Sequence, residues 1–185
     1  VVNDVDISSD GTYIAVVDWK NVIFFNKATN EAIWSYLHED EIMTTVSISP
    51  DGYFIAAGTE HGKVYVYSTY DDNISWYHDG LLDGRIIEID FSEDSTHFVF
   101  GTENGKVYIY ESEGENPVFT YDQPDGVTCV SASSNTTYYA FGTKEGLLTM
   151  LDVEIEFKAW EVNIGGIVTD ISFNGKGNYI VGGSN

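Results

Sequence analysis

The sequence predicts an all-β protein in which one small antiparallel sheet is repeated along the chain. Three observations predict it. An eleven-residue phrase appears twice, as "AGTEHGKVYVY" at 57–67 and as "FGTENGKVYIY" at 100–110. Val, Ile, Tyr, Phe and Thr recur in short runs broken by turn residues, and no run has helical periodicity without turn residues. Two turn landmarks keep one spacing: Asp10, Asp51, Asp94, Asn135 and Lys176 are 41, 43, 41 and 41 residues apart, and Asn21, Gly62, Gly105 and Gly146 are 41, 43 and 41 apart. A period near forty residues is that of four-stranded blades set around an axis, a β-propeller.

The elements follow in order. The first unit, 1–41, offers four extended runs: "VVNDVDIS", "TYIAVV", "NVIFF" and "AIWSYL". The second, 42–84, has "MTTVSIS", "YFIAAGT", "KVYVYS" and "NISWYH". The third, 85–125, has "IIEIDFS", "THFVFGT", "KVYIYE" and "PVFTYD", and the fourth, 126–166, has "VTCVSAS", "TYYAFGT", "LLTML" and "EFKAWEV". A partial unit, 167–185, has only "VTDISFN" and "NYIVGGS". About four and a half blades result, which implies an incomplete ring. Further blades are expected from additional sequence or from a second copy.

The hairpin turn after each second strand needs a residue at positive φ. Gly62, Gly105 and Gly146 supply it without a Cβ penalty, and Asn21 is expected to do the same. Third strands carry apolar residues on both sides: Val64 and Val66 against Tyr65 and Tyr67, Val107 and Ile109 against Tyr108 and Tyr110. A sheet apolar on both faces must be covered on both, and with no helices only sister sheets can do it. Gly58, Gly101, Gly142 and Gly183 share a strand-interior slot that holds Val17 in the first unit, which points to a bulge or to close approach of a neighbouring blade. The fourth-strand aromatics Trp34, Trp76, Phe119 and Trp160 are expected to pack between blades.

Charge bounds the function. Thirty acidic residues oppose eight basic ones, for a net charge of -22. Such a field repels nucleic acid and anionic membranes and favours a basic protein partner. No apolar run is long enough to span a membrane, and no signal peptide opens the chain, which begins without Met as a mature chain or an excised piece would. The compartment stays open. The one cysteine, Cys129, reads as a small buried hydrophobe and excludes an intrachain disulfide. Of the histidines, His61 reads as an exposed turn residue and His97 as strand packing, and none of the four has metal-ligand spacing.

The acidic stretches "NDVD" (3–6), "HEDE" (38–41), "YDD" (70–72) and "SEGE" (112–115) do not make a calcium loop. Asp4, Asp6 and Asp10 break the required alternation, and the repeat puts Asp6 in a strand. Asp18, Thr59, Thr102, Thr143 and Ser184 share one slot, where an oxygen suits a local hydrogen bond that ends the strand. Trp19 occupies the turn slot of Glu60, Glu103 and Lys144. An exposed Trp there is a candidate anchor for a partner, with Asp18, Glu60 and Glu103 as candidate contacts. No serine elbow, phosphate loop or Rossmann glycine run is present, and no catalytic, cofactor or metal residue is assigned.

The stretches "SPDGYFIAAGTEHGKVYVY" (49–67) and "SEDSTHFVFGTENGKVYIY" (92–110), with the aromatic fourth strands around Trp34 and Trp76, resemble repeats of the WD40-like and quinoprotein-like β-propeller families. "NKATNEAIW" (26–34) is similar to the quinoprotein Thr-Gly turn, with Asn30 in the glycine place. The WD40 Trp-Asp and Gly-His pairs are missing. The resemblance implies either a scaffold that holds partner proteins or a redox enzyme that holds a quinone with Ca²⁺. The leading expectation is a non-catalytic scaffold presenting an acidic surface. The alternatives are a fragment of a quinone-dependent dehydrogenase and part of a sensor or structural ectodomain.

Overall fold

A computed structural model describes residues 1–70, 73–80, 83–134, 136–174 and 177–185. The landmark residues Asn135 and Lys176, and Asp71 and Asp72 of one acidic stretch, lie outside the described residues. Every regular element among the described residues is a strand. Blade one holds β1 (Val2–Ile7), β2 (Tyr13–Asp18), β3 (Asn21–Asn26) and β4 (Ala32–Leu37). Blade two holds β5 (Met43–Ile48), β6 (Phe54–Thr59), β7 (Lys63–Ser68) and β8 (Ile74–Asp79). Blade three holds β9 (Ile86–Phe91), β10 (His97–Thr102), β11 (Lys106–Glu111) and β12 (Pro117–Asp122), and blade four holds β13 (Val127–Ala132), β14 (Tyr138–Thr143), β15 (Leu147–Asp152) and β16 (Phe157–Asn163). A two-stranded sheet of β17 (Val168–Phe173) and β18 (Ile180–Ser184) follows. Each sheet is an antiparallel meander in chain order. The first strands pack in succession, β1 on β5, β5 on β9, β9 on β13 and β13 on β17, so they form the inner wall of a row that is not closed into a ring.

The strand pattern explains why the blades stack. Side chains alternate across a strand, so each blade shows one apolar set to its predecessor and another to its successor. Tyr65 and Tyr67 share a core with Phe24 of blade one, while Val64 and Val66 pack with Phe98 and Tyr110 of blade three. Tyr108 and Tyr110 likewise face blade two, and Val107 and Ile109 face Tyr139 and Phe141 of blade four. In the third strands of blades two and three the large rings point back and the smaller aliphatics point forward. The fourth strands join in: Trp34 lies 5.6 Å from Tyr67, and Trp76 lies 5.1 Å from Tyr110 and donates its indole N–H to the Ser112 carbonyl at 3.3 Å. At the ends of the row the pattern has no partner. Val5 is 57% exposed, whereas its counterparts Val46, Ile89 and Val130 are buried.

The hairpin turns correct one expectation. Gly62, Gly105 and Gly146 hold φ of 86, 94 and 83°, but Asn21 is not in the left-handed region. The first hairpin is one residue shorter: two residues separate β2 from β3, whereas three separate β6 from β7. Asn21 therefore takes the structural place of Lys63, not of Gly62. Asp18 does the work of the missing glycine turn. One carboxylate oxygen accepts the amides of Lys20 (3.0 Å) and Asn21 (2.8 Å) and the Asn21 side chain (2.9 Å). In the longer turns the hydroxyls of Thr59, Thr102 and Thr143 accept the amides of Lys63, Lys106 and Leu147. Asp18→Ala leaves those donors to water and is expected to cost about 1 kcal/mol, with Asp18→Asn retaining most of the stability, as urea unfolding will show.

The other turn runs on a Ser-x-Asp device. Ser49 Oγ donates to Asp51 (2.6 Å) while accepting the Phe54 amide (2.9 Å), and Asp51 accepts the Tyr53 amide (3.0 Å). Ser92 and Asp94 repeat it. Asn30, in the quinoprotein-like turn, sits at φ 56°.

Candidate functional site

A sheet meander places its connections alternately at two ends of the barrel-like row. The β2–β3, β6–β7 and β10–β11 turns share one end. The structure therefore brings Trp19, Asp18, Glu60 and Glu103 to the same end. Trp19 is 59% exposed, its side chain open to solvent while its carbonyl accepts the Met43 amide at 3.1 Å. Asp18 is committed to its own turn, and its carboxyl is lowered from the usual value by the hydrogen bonds from Lys20 and Asn21, against the opposing effect of burial. Glu60 is exposed, and Glu103 pairs with Lys144 at 3.5 Å. This end also holds Lys20, Lys63, Arg85 and Lys106, so its charge is mixed.

Beneath it lies a polar layer that the sequence reading missed. His38 hydrogen-bonds Tyr67 of the next blade, and His78 Nδ1 meets the Tyr110 hydroxyl of the blade after at 2.8 Å. Burial holds both imidazoles below the ordinary histidine value. Glu41 grips Lys63 (3.0 Å) and His61 (3.1 Å), and Asp83 grips Lys106 (3.2 Å) and the Tyr108 hydroxyl (2.6 Å). Because the same parts recur at two successive interfaces, the layer is bracing between blades, as a single reaction centre would not be. The signal was available: His38 and His78 each close an aromatic fourth strand, and Lys63 and Lys106 each open a third.

The opposite end is acidic. Its described loops carry Asp10, Glu31, Asp51, Glu93, Asp94, Glu113, Glu115, Glu154 and Glu156, and among their described residues Lys27 is the only cation.

Between the ends, the inner strands line an axial channel of about 320 Å³ that contains Asp4, Asp6, Glu88, Asp90 and Asp170. The inner edge of each first strand has amides with no further strand to pair them. Asp4 and Asp6 accept the Val46 and Ile48 amides of the next blade, each at 2.9 Å, and the Thr45 and Ser47 hydroxyls at 2.9 and 3.0 Å. Glu88 and Asp90 do the same for the Val130 and Ala132 amides, both at 2.8 Å. Burial, with a smaller push from neighbouring carboxylates, raises Glu88 to about 7 and Asp90 to about 6. Asp6 is in a strand, as read. The "EID" run at 88–90 carries the same signature as Asp4 and Asp6, acids two apart in a first strand.

Cys129 is 2% exposed and its thiol is raised to about 11, chiefly by burial, so it is a packing residue. His61 is an exposed turn residue held by Glu41, and His97 donates or accepts with Thr96 at 2.8 Å. No group of three or more His, Cys, Asp or Glu side chains converges as a metal cage among the described residues. Four of the five channel carboxylates, Asp4, Asp6, Glu88 and Asp90, are spent on amides and hydroxyls, so the residues present do not fit a Ca²⁺-quinone pair. Among the described residues no helix is long and apolar enough to cross a membrane.

The WD40 family, described as WD domain, G-beta repeat, matches residues 31–68. That span runs from β4 through β7, so the sequence repeat is offset from the blade and straddles an interface. Over its whole length the chain superposes on a chain from the crystal structure of the Mitotic Checkpoint Complex, with a TM-score of 0.86 and 16% identity. It covers 59% of that chain. No curated protein matches. These findings show a fold of WD40-like propeller blades.

Proposed function

We propose that this chain is a non-catalytic part of a propeller scaffold that presents an acidic surface to a basic protein partner. The observation that carries the reading is the division of charge: nearly all described cations sit at the Trp19 end or inside ion pairs, leaving the opposite loops acidic and unneutralised. The geometry supports it, since His38, Glu41, His78 and Asp83 each engage a group of the next blade instead of converging on one space for substrate. The superposed chain comes from a complex, and a scaffold role in this chain agrees with that setting. Trp19, at the same end as Glu60 and Glu103, offers a second contact of more apolar character. The exposed slots of β1 and β18 are covered by further blades, from additional sequence or a second copy.

A protein isolated with this scaffold tests the reading. Its affinity is expected to fall at least tenfold between 0.05 and 0.3 M salt and on reversing Glu113 and Glu154 to Lys, because screened charges steer and hold the complex. Binding that ignores both salt and charge reversal overturns the acidic-surface reading.

A further inference from the structure

We infer that the cleft between blades two and three, on the acidic end, is a docking groove for an arginine-bearing peptide segment of the partner. The inference rests on the scaffold reading and gives it an address. The cleft encloses about 400 Å³. Its walls are Tyr53 and Phe54 of blade two, facing the Asp94 turn and the end of β11 in blade three. Asp51, Asp94, Glu111 and Glu113 surround it, all exposed, and none of the ion pairs formed among the described residues involves them.

The second observation is aromatic and independent of the charge. Tyr53 is 50% exposed and stacks on Tyr70, which is 79% exposed, with centroids 5.6 Å apart and planes 20° apart. Tyr53, which lines the cleft, is thus an exposed ring backed by a second exposed ring, and such a face is a surface for a flat cation. A guanidinium satisfies both parts at once: its plane stacks on tyrosine, and its fork of N–H donors meets carboxylates in pairs. An ammonium has the charge without the plane, so lysine fits less well. The cleft floor is rigid, because Asp51 N donates to Ser95 Oγ across the interface at 3.0 Å and Ser112 Oγ donates to the Ser95 carbonyl at 2.7 Å. The groove is thus formed before any ligand arrives.

The test titrates the protein with the capped peptide Gly-Ser-Arg-Arg-Ser-Gly and with its Lys-Lys counterpart, reading tyrosine ring resonances by NMR. Binding is expected to shift Tyr53 and Tyr70 and to favour the arginine peptide. The Glu111→Gln/Glu113→Gln pair and Tyr53→Ala are each expected to weaken it at least tenfold, while Trp19→Ala and Glu60→Gln leave it unchanged. Circular dichroism confirms that each variant is folded; Tyr53→Leu substitutes if Tyr53→Ala is not. If the peptide binds but only the Trp19-end variants weaken it, the groove falls and the scaffold reading stands. Absence of tyrosine shifts at 0.05 M salt overturns the groove outright, and equal affinity for the two peptides overturns the assignment of arginine.

Discussion

Gly101→Val is expected to destabilise the protein by about 3 kcal/mol or more, the cost of forcing a branched side chain into a filled interface. A Cβ built at Gly101 falls 2.5 Å from Val127 Cγ1 and 2.9 Å from Val130 Cγ1, both on β13 of the next blade. Neither valine can yield. Val127 is fully buried, and a β-branched side chain has few rotamers to escape into. The same approach recurs at Gly58, where the built Cβ would lie 2.5 Å from Ile86 Cγ2. Blade one supplies the exception that explains the rule. There Val17 stands in the glycine slot, and its core includes Met43, the counterpart of Ile86 in the next blade, unbranched and able to bend away. The reverse change in the neighbour therefore repairs the damage: Val127→Ala on top of Gly101→Val is expected to recover more than half of the loss. Thermal unfolding reads the result as a drop of roughly 6 to 12 °C for the single variant. A single variant as stable as the parent would show that the blades do not approach this closely.

The repeat made the blades legible because two periodic signals coincide, one of turns and one of two-sided strands. Gly62, Gly105 and Gly146 could be read directly, since a positive φ leaves a glycine in sequence. Asn21 misled because spacing alone cannot see a one-residue deletion: 41 residues separate it from Gly62, yet the shorter turn shifts it onto the Lys63 place. Only the hydrogen bonds of Asp18 show how the chain closes that turn without glycine. The interleaving of Tyr67 with Phe24 and of Tyr110 with Trp76 followed from alternation within each strand, because burial on both faces has one cause.

The candidate contacts were less legible. Trp19 was placed in a turn by register, and its exposure follows from that. Where carboxylates gather is another matter, since it depends on which loops share an end and on which lysines the blades consume internally. Lys63 and Lys106 look in sequence like counter-charges for any acid; in the fold they belong to Glu41 and Asp83. Tyr53 and Tyr70 are seventeen residues apart in the chain and form a stacked pair only because both lie in loops of one blade end. The channel acids do leave a mark in the sequence: "DVD" and "EID" interrupt largely apolar first strands, and a charge there has to serve the unpaired inner edge.

That service has a pH dependence. Glu88→Gln is expected to raise stability by about 2 kcal/mol at pH 7.5 and to change little at pH 4.5, since solvent reaching the open channel screens part of the charge. Burial raises the native carboxyl from the unfolded value of 4.5 to about 7, with Asp90 and Asp170 adding to the push and the Val130 amide opposing it. Between those two values the native state holds a proton that the unfolded state has lost. Stability therefore falls as pH rises through this window, and it levels off above it. Below pH 4.5 both states are protonated and the group contributes nothing. Asp90, raised to about 6, adds a fall of the same sign starting nearer pH 4. Gln keeps an oxygen for the Val130 amide and removes only the charge, so it flattens the Glu88 part of the slope. Ala removes the acceptor as well, leaving the amide short of a partner, and is expected to be less stable than Gln at both pH values. Urea unfolding of the parent, Glu88→Gln and Glu88→Ala from pH 4.5 to 7.5 separates the two effects. If Gln is as damaging as Ala at pH 7.5, the ionised carboxylate is itself what holds blade three to blade four, and the destabilising role assigned to its charge is wrong.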